Sequence, residues 1–266
     1  MWRVKHPCLA CLVVAATVGA IAGCARTGGG DAEAVDVRTT AFSVGADATL
    51  IVESDRGVVE IRGEPDRETI DVKATIRVCG PSVGIARERI ESLELQERRT
   101  GRAVRLGFHV PTGGAVWDAS VGLVVRVPVR TAIDVIGGEV DVTVGAISGT
   151  LGVAIESGAV VVRGGDLERL SVVVKSGDVE VSGRLGGDGV EHEVRTGRGD
   201  VHLRIPLDSR LRIEAEAPTG GSITSALPLL GDTGGRAWSA TLNFPHALLR
   251  VRTDDGQILL GRLHET

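Results

Sequence analysis

One motif in the sequence could place a nucleophilic serine. Gly80-Pro81-Ser82-Val83-Gly84 fits G-x-S-x-G and lies between a strand-like stretch and a helix-like one. A strained strand-to-helix turn of this type exposes a serine hydroxyl. Hydrolases of that class also need several βαβ units and a later acid and histidine, whereas the chain after residue 100 has the pattern of strands. We therefore expect no enzyme, keep a hydrolase using Ser82 as a distant alternative, and predict that Ser82 caps a helix over 83–92.

The histidines and carboxylates show no spacing typical of a metal site. The histidines are His6, His109, His192, His202, His246 and His264. None of them forms H-E-x-x-H or H-x₃-H. The carboxylates of 186–191 and 254–256 occur in single copies, which is typical of turns rather than of calcium-binding repeats. His192 alternates with Val190 and Val194, which indicates a neutral core histidine. We predict no metal, no cofactor and no catalytic residue.

Composition excludes nucleic acid as a partner. The 266 residues include 30 Lys plus Arg against 35 Asp plus Glu, a net charge of −5, and only 2% are aromatic. A chain of this kind has neither the positive excess that displaces counterions nor the rings on which bases stack. The hydrophobic share of 42% allows a sizeable core, which Val, Ile and Leu must supply because large rings are scarce.

The N-terminus predicts export. Residues 1–22 combine a positively charged start with an uncharged apolar run that is too short for a membrane-spanning helix. The run ends in Ile21-Ala22-Gly23-Cys24, which resembles the lipobox of bacterial lipoproteins. The resemblance implies that 1–23 is a cleaved signal peptide and that Cys24 is lipidated. An ordinary secretory signal with an incidental cysteine is the alternative.

The same resemblance implies a membrane as one partner. Where bacteria have two membranes, an Asp after the lipidated cysteine favours retention in the inner one; Ala25 stands there, which favours the outer membrane. Residues 24–38 are predicted to carry the lipid and form a flexible tether, because the segment begins Gly-rich and polar. Cys79 is the one cysteine outside the signal and the anchor, and we expect a buried, inert thiol there.

A repeated strand–corner–strand pattern fills the middle of the chain. Its segments are IDVIGGEVDVTV, LGVAIESGAVVVRG, LSVVVKSGDVEVSG, HEVRTGRGDVHLRI and IEAEAPTGGSITS. Their corner glycines, taken as Gly138, Gly158, Gly177, Gly197 and Gly220, lie 20, 19, 20 and 23 residues apart. A period near 20 is typical of a solenoid, in which strands stack ~4.8 Å apart on their equivalents in the next coil. The stretch 221–247 is less regular than the other units.

Alternation predicts which side chains form the core. We expect one face of each strand to be buried and its complement to be exposed. The predicted inward residues are Val140, Val142, Val144, Leu151, Val153, Ile155, Val160, Val162, Leu170, Val172, Val174, Val179, Val181, Val201, Leu203, Ile205, Leu211 and Ile213. Aligning the corners predicts two outward columns, which are Glu156–Lys175–Arg195 and Val161–Glu180–His202.

These units resemble a known bacterial domain. VRVPVRTAIDVIGGEVDV (125–142), followed by repeated hydrophobic-x-Ser/Thr-Gly-x-hydrophobic-x-hydrophobic units, is similar to the bacterial putative-adhesin, or β-strand-repeat, domain of unknown function, which is related to head domains with a Gly-Ile-Asn signature. The resemblance implies an all-β right-handed parallel β-helix over 39–262 with one short helix in the N-terminal third. It carries over no catalytic residue.

Two functions follow as expectations. The first is a non-enzymatic exported lipoprotein whose domain acts as a cell-envelope scaffold or as an adhesion and interaction surface for an envelope protein. The second is a module that binds a polysaccharide or a peptidoglycan-like polymer, for which Trp117 is the candidate stacking residue.

Overall fold

The structure is a computed structural model that describes residues 32–45, 47–93, 95–110, 118–227 and 235–263. Within these ranges the chain forms eighteen strands and one helix. The strands are β1 Ala32–Ser43, β2 Thr49–Glu64, β3 Thr69–Gly80, β4 Leu95–Thr100, β5 Ala103–Phe108, β6 Ala119–Pro128, β7 Ala132–Gly145, β8 Thr150–Ser157, β9 Val160–Leu167, β10 Arg169–Ser176, β11 Val179–Leu185, β12 Glu191–Arg198, β13 Val201–Ile205, β14 Leu211–Glu216, β15 Ser222–Ser225, β16 Ala237–Leu242, β17 Ala247–Asp255 and β18 Gln257–Arg262.

The helix α1, Val83–Ser92, coincides with the predicted helix over 83–92. Ser82 precedes it in an extended conformation, and its hydroxyl oxygen accepts a hydrogen bond from the backbone N–H of Ile85 at 3.3 Å. A serine in this position satisfies one of the amides that a helix start leaves without a partner. Ala86 and Ile90 are the buried residues of α1, and the helix packs against β1 and β3.

The strands form two ladders that share β2 and β7. The first ladder runs β4-β5-β2-β7-β8-β10-β12-β17-β14-β16. The second runs β1-β3-β6-β2-β7-β9-β11-β13-β18-β15. Most neighbours are parallel: Val172, for example, pairs with Val153, which lies 19 residues earlier, and with Val194, which lies 22 residues later.

The predicted β-helix is wrong as the description of the fold. The fold is all-β with one short helix, as expected. Its mostly parallel strands, however, form a nearly closed barrel and not a plain right-handed solenoid. The pairs β1–β3, β3–β6, β4–β5 and β14–β16 are antiparallel. Alternation predicts which face of a strand is buried but not the direction of its neighbour, so the sequence pattern could not exclude these pairs.

Spatial order also departs from chain order at both ends. Strand β2 lies between β5 and β6 on one side and β7 on the other. Strand β17 lies between β12 and β14, and β18 lies between β13 and β15. The C-terminal strands β17 and β18 therefore lie between strands that a solenoid in sequence order would place next to each other.

The core matches the inward residues predicted from alternation. All eighteen of the predicted inward side chains between Val140 and Ile213 are buried, none with more than 4% of its surface exposed. Val, Ile and Leu dominate this core, and Phe108 is its largest fully buried side chain. Branched aliphatic side chains suit a pleated, tightly stacked interior, which is how a chain with few aromatic residues fills its core.

Glycines form a tight column where strands of one ladder continue into the other. They are Gly57, Gly158, Gly177, Gly199 and Gly256, each with a φ between +126° and +153°. A Cβ on Gly177 would lie 1.9 Å from the carbonyl oxygen of Gly158, and one on Gly199 would lie 2.2 Å from that of Gly177. Of the predicted corner glycines, Gly158 and Gly177 belong to this column. Gly138, Gly197 and Gly220 do not.

The sheet includes residues that precede the predicted domain start. Strand β1 starts at Ala32 and pairs along its whole length with β3, so residues 32–38 lie in the sheet although they fall in the segment predicted as a tether. Near the other end, β15 and β16 occupy part of 221–247, and β16 runs antiparallel to β14.

Candidate functional site

A concentration of charged side chains crosses three neighbouring strands on the outer face of β12, β17 and β14. We call this surface the charged strip. It comprises Glu191, Glu193, Arg195, Arg212, Glu214, Glu216, Arg250, Arg252 and Asp254. Its strands are neighbours in space although β17 is far from β12 in the chain, so the strip exists only because β17 is inserted between β12 and β14.

Ion pairs across β17 join the acidic and basic members of the strip. Arg250 pairs with Glu191 on one side, and its Nε lies 3.5 Å from Glu214 Oε2 on the other. Arg252 Nη1 lies 3.4 Å from Glu216 Oε2. Opposite charges on adjacent strands typically contribute ~0.2–1 kcal/mol per pair. Their main effect is to favour one register and one order of strands.

Asp254 joins two arginines that would otherwise repel each other. Arg195 and Arg252 are direct neighbours in the ladder. Arg252 Nε donates to Asp254 Oδ1 at 2.8 Å, and Arg195 Nη2 donates to Asp254 Oδ2 at 3.4 Å. The hydrogen bond from Arg252 holds the pKa of the Asp254 carboxyl below its ordinary value, although desolvation opposes it, and Arg195 lowers the pKa further. The carboxylate is therefore charged at neutral pH.

Two shallow cavities border the strip. One of about 190 Å³ is lined by the charged members of β12, β14 and β17 around Val194 and Val251. The other, about 430 Å³, lies beside Glu191 and Arg212 and reaches His246. His246 Nδ1 lies 2.6 Å from Asp188 Oδ1, which ties the 186–190 loop to the start of β17. The strip thus offers alternating positive and negative groups to a polar partner.

Ser82 is not arranged as a nucleophile. It follows β3, whose neighbours β1 and β6 are both antiparallel to it, so the strand-to-helix turn does not belong to a βαβ unit. The Ser82 hydroxyl is engaged at the helix start, and among the described residues no histidine hydrogen-bonds to it. The motif is a helix cap, as its alternative interpretation predicted.

His192 is a buried, neutral histidine. Leu170 N–H donates to Nδ1 at 3.2 Å, so Nε2 carries the proton and donates to the Gly186 carbonyl at 2.9 Å. Burial lowers the pKa of His192 below its ordinary value of 6.5, and the charge of Arg169 lowers it further. The predicted core histidine is therefore confirmed. Within the described ranges no group of His, Cys, Asp and Glu could hold a metal ion.

One predicted outward column is right and the other is shifted. Glu180 lies between Val161 and His202, as predicted, and accepts a hydrogen bond from Arg204 at 2.7 Å. Lys175 pairs with Glu156, but Arg195 pairs with Val173 and not with Lys175. The prediction aligned Gly197 with Gly177, whereas Gly199 is the glycine that contacts Gly177. This error of two residues placed Arg195 beside Lys175 instead of beside Val173.

Cys79 differs from the expected buried thiol. Its side chain is only half-buried, and the cysteine is disulfide-bonded. Its backbone N–H donates to the Asp118 carbonyl at 2.9 Å, and its carbonyl accepts from Arg89 Nη1 at 2.9 Å. The prediction of an unpaired cysteine in the core is therefore wrong.

Two predicted site residues, Cys24 and Trp117, lie outside the described residues, so their predictions stay open. Of the described aromatic side chains, Phe244 is strongly exposed at 86%, whereas Trp238 and Phe108 are buried. The described surface thus holds no pair of exposed rings on which a sugar could stack.

In the part of the chain that the structure covers, no helix has the length and apolar character needed to cross a bilayer.

Comparison with known proteins supports the class of fold. No protein-family model and no curated sequence matches the chain. The fold is similar to that of a putative cell adhesion protein from Clostridium sporogenes, with a TM-score of 0.52 and 12% identity over 87% of this chain and 100% of that one. A putative adhesin from Bacteroides fragilis has a TM-score of 0.47 and 14% identity over 85% and 97%. The resemblance to the putative-adhesin domain is confirmed at the level of the fold.

Proposed function

We propose that the protein is a non-enzymatic, exported lipoprotein whose all-β body presents an interaction surface at the cell envelope, in the manner of an adhesin. The observation that carries the proposal is the similarity of fold to the putative cell adhesion protein from C. sporogenes, over the whole length of that chain. At 12% identity this likeness concerns fold, so the role rests on the surface and on the N-terminal sequence as well.

The charged strip is the surface that we assign to a partner. Arg250 is 55% exposed and Arg252 is 44% exposed while both pair with acids, so each guanidinium keeps donors available to a ligand. The inner face of the strands below the strip is buried, with Val194 and Val251 almost fully so. A stiff sheet holds such groups at a constant spacing, which favours recognition of an extended polar partner.

The lipid anchor requires the Cys24 thiol to carry an acyl-glyceryl group. In cells fed labelled palmitate, the wild-type chain should take up label and partition with membranes, and Cys24→Ser should lose both. Because a thiol held in a disulfide cannot be alkylated, lipidation requires that Cys24 is free of the disulfide that Cys79 forms. Cys79→Ser is the matched control and should leave labelling unchanged. Lipidation is refuted if the wild type remains unlabelled, or if Cys24→Ser still takes up palmitate.

Adhesion is tested separately with beads that carry liposomes containing the full chain. Such beads should bind cells of the producing bacterium, and Arg250→Gln/Arg252→Gln should reduce binding about tenfold, the size of a ~1.4 kcal/mol change. Arg62→Gln/Arg126→Gln is the control, since these exposed arginines lie together on the second ladder, away from the strip. Equal binding by beads with and without the protein would contradict the proposed role. Equal loss in both variants would contradict the assigned surface.

A further inference from the structure

Four strands at the ends of the two ladders have a neighbour on one side only within the described residues. They are β1, which pairs with β3, β4 with β5, β15 with β18, and β16 with β14. An unpaired edge presents a row of backbone N–H and C=O groups to another chain, and soluble proteins usually protect such edges by shortness, charge or a covering element.

Three of these edges are better protected than β1, although β1 also carries Glu33, Asp36 and Arg38 and packs against α1. Strand β15 has four residues and β16 has six, while β4 carries the consecutive charges of Glu97, Arg98 and Arg99. Strand β1 has twelve residues without proline or glycine. Its outward side chains include Val35 and Val37, which are 50% and 54% exposed. It is thus the longest of the four edges, and it exposes two valines.

We propose that β1 pairs with β1 of a second copy, antiparallel and centred on Val37, so that the sheets of two molecules become continuous. This register joins residues 32–42 of both strands, which is nearly all of β1. It also places Asp36 of each copy opposite Arg38 of the other, and Val37 opposite Val37. A two-fold interface needs such a self-complementary patch, and main-chain pairing of an exposed edge is an established mode of recognition.

Other symmetric registers fit less well. Centring on Asp36 or on Arg38 sets like charges directly opposite each other, which destabilises a strand pair. Centring on Val35 leaves the C-terminal part of β1 unpaired. Within one chain, Arg38 Nε already lies 2.8 Å from Asp36 Oδ2. In the pair each of these groups would therefore face an opposite charge on both strands.

The space beside β1 suits an added strand. A groove of about 390 Å³ lies between β1 and α1 and is lined by Asp36 and Arg38 from the strand and by Ile90, Arg87 and Glu91 from the helix. Opposite residues of an antiparallel pair point to the same face. The second copy's Asp36 and Arg38 would therefore face this groove, which offers a cation, an anion and an apolar side chain.

Register-specific cross-linking tests the proposal. The full chain in mild detergent is treated with a short bismaleimide and read on reducing gels, with the wild type as the background of its own cysteines. Val37→Cys should give a dimer band. Ala41→Cys should not, because the two copies of residue 41 would lie about 27 Å apart, eight residues at ~3.4 Å each. Equal cross-linking of both variants, or of neither above background, overturns the proposed pairing.

A charge exchange tests the same register without new cysteines. Asp36→Arg sets arginines opposite each other and Arg38→Asp sets aspartates opposite each other, so each should shift the protein to the monomer in sedimentation. The combined variant Asp36→Arg/Arg38→Asp should restore the dimer. Circular dichroism confirms that all variants are folded. A monomeric wild type, or singles that dimerise as well as the wild type, contradicts the proposal. Either outcome would contradict the proposed pairing whether or not Cys24 is lipidated.

Discussion

Gly177 lies against Gly158 so closely that a Cβ on Gly177 would come within 1.9 Å of the Gly158 carbonyl oxygen. The N–H of Gly158 donates to the Ser176 carbonyl at 3.1 Å, and that of Gly177 donates to the Arg198 carbonyl at 2.7 Å. Backbone therefore contacts backbone from Gly158 through Gly177 and Gly199 to Gly256, with no room for a side chain at these three contacts.

Replacing a glycine of this column should strongly destabilise the fold. Gly177→Ala combines a φ of +149° with the clash at the Gly158 carbonyl, and strain of this kind costs at least ~1–3 kcal/mol. Urea unfolding should show a much lower midpoint. Gly145→Ala is the control, because its Cβ would lie 3.6 Å from the nearest atom. Similar midpoints for the two variants would show that the column is not tight.

A hydroxyl group should destabilise the fold where it is buried in the core and have little effect where it is exposed. Val172 is fully buried between Val153 and Val194, whereas the adjacent Val173 is 37% exposed. Val172→Thr should lower the free energy of unfolding by about 1–3 kcal/mol, because it buries a polar group in an apolar stack. Val173→Thr should change it by less than about 0.5 kcal/mol. Chemical denaturation of the pair measures the difference, and equal effects would contradict the assigned faces.

Stability should fall on acidification through His192. Burial lowers the pKa of this histidine below 6.5 in the folded state, so below pH 6.5 the unfolded chain binds a proton that the folded chain does not. The stabilising contribution is complete above that pH and is lost as the pH falls toward the folded pKa, with a slope of at most ~1.4 kcal/mol per unit. Urea midpoints between pH 7.5 and 5 record it.

The contribution of His192 is separated from that of other groups by substitution. His192→Gln should flatten this slope, whereas His202→Gln should keep it, because His192 is then intact. If both variants retain the wild-type slope, the pH dependence comes from another group.

Loss of the Asp254 carboxylate should lower the stability of the fold, and by an amount that depends on salt. Asp254→Asn leaves Arg195 and Arg252 as neighbouring cations without the carboxylate that joins them. We expect a modestly lower urea midpoint at low ionic strength and wild-type behaviour in about 1 M salt, where the Debye length is ~3 Å. A deficit that is independent of salt would indicate a packing role for Asp254.

Much of the core could be predicted from sequence because a period of two determines which side chains share a face. That is why the inward residues from Val140 to Ile213 are correct. The same pattern could not distinguish Gly197 from Gly199 as the corner glycine, since both follow Thr196 within three residues. Only Gly199 has the positive φ and the contact with Gly177, and the wrong choice displaced Arg195 in the predicted column.

The candidate site itself could not be predicted. Arg250 and Glu214 lie 36 residues apart, and nothing in their local patterns indicates that β17 enters the sheet beside β14. The available signal was that RVRTDDGQILLG (250–261) has the same strand–corner–strand form as the repeats. It shows that the segment belongs to the sheet but not between which strands it lies.

Cysteine pairs across β17 test the order of strands most directly. Arg250 is the direct neighbour of Glu193 and of Glu214, so Cys pairs at 193/250 and at 250/214 should each form a disulfide, which needs a Cα separation of ~4.4–6.8 Å. A Cys pair at 193/214 should not, because β17 separates these strands by about 9.6 Å, twice the ~4.8 Å spacing. Ready bonding of 193 to 214, with none at 250, would instead place β12 beside β14 and contradict the charged strip.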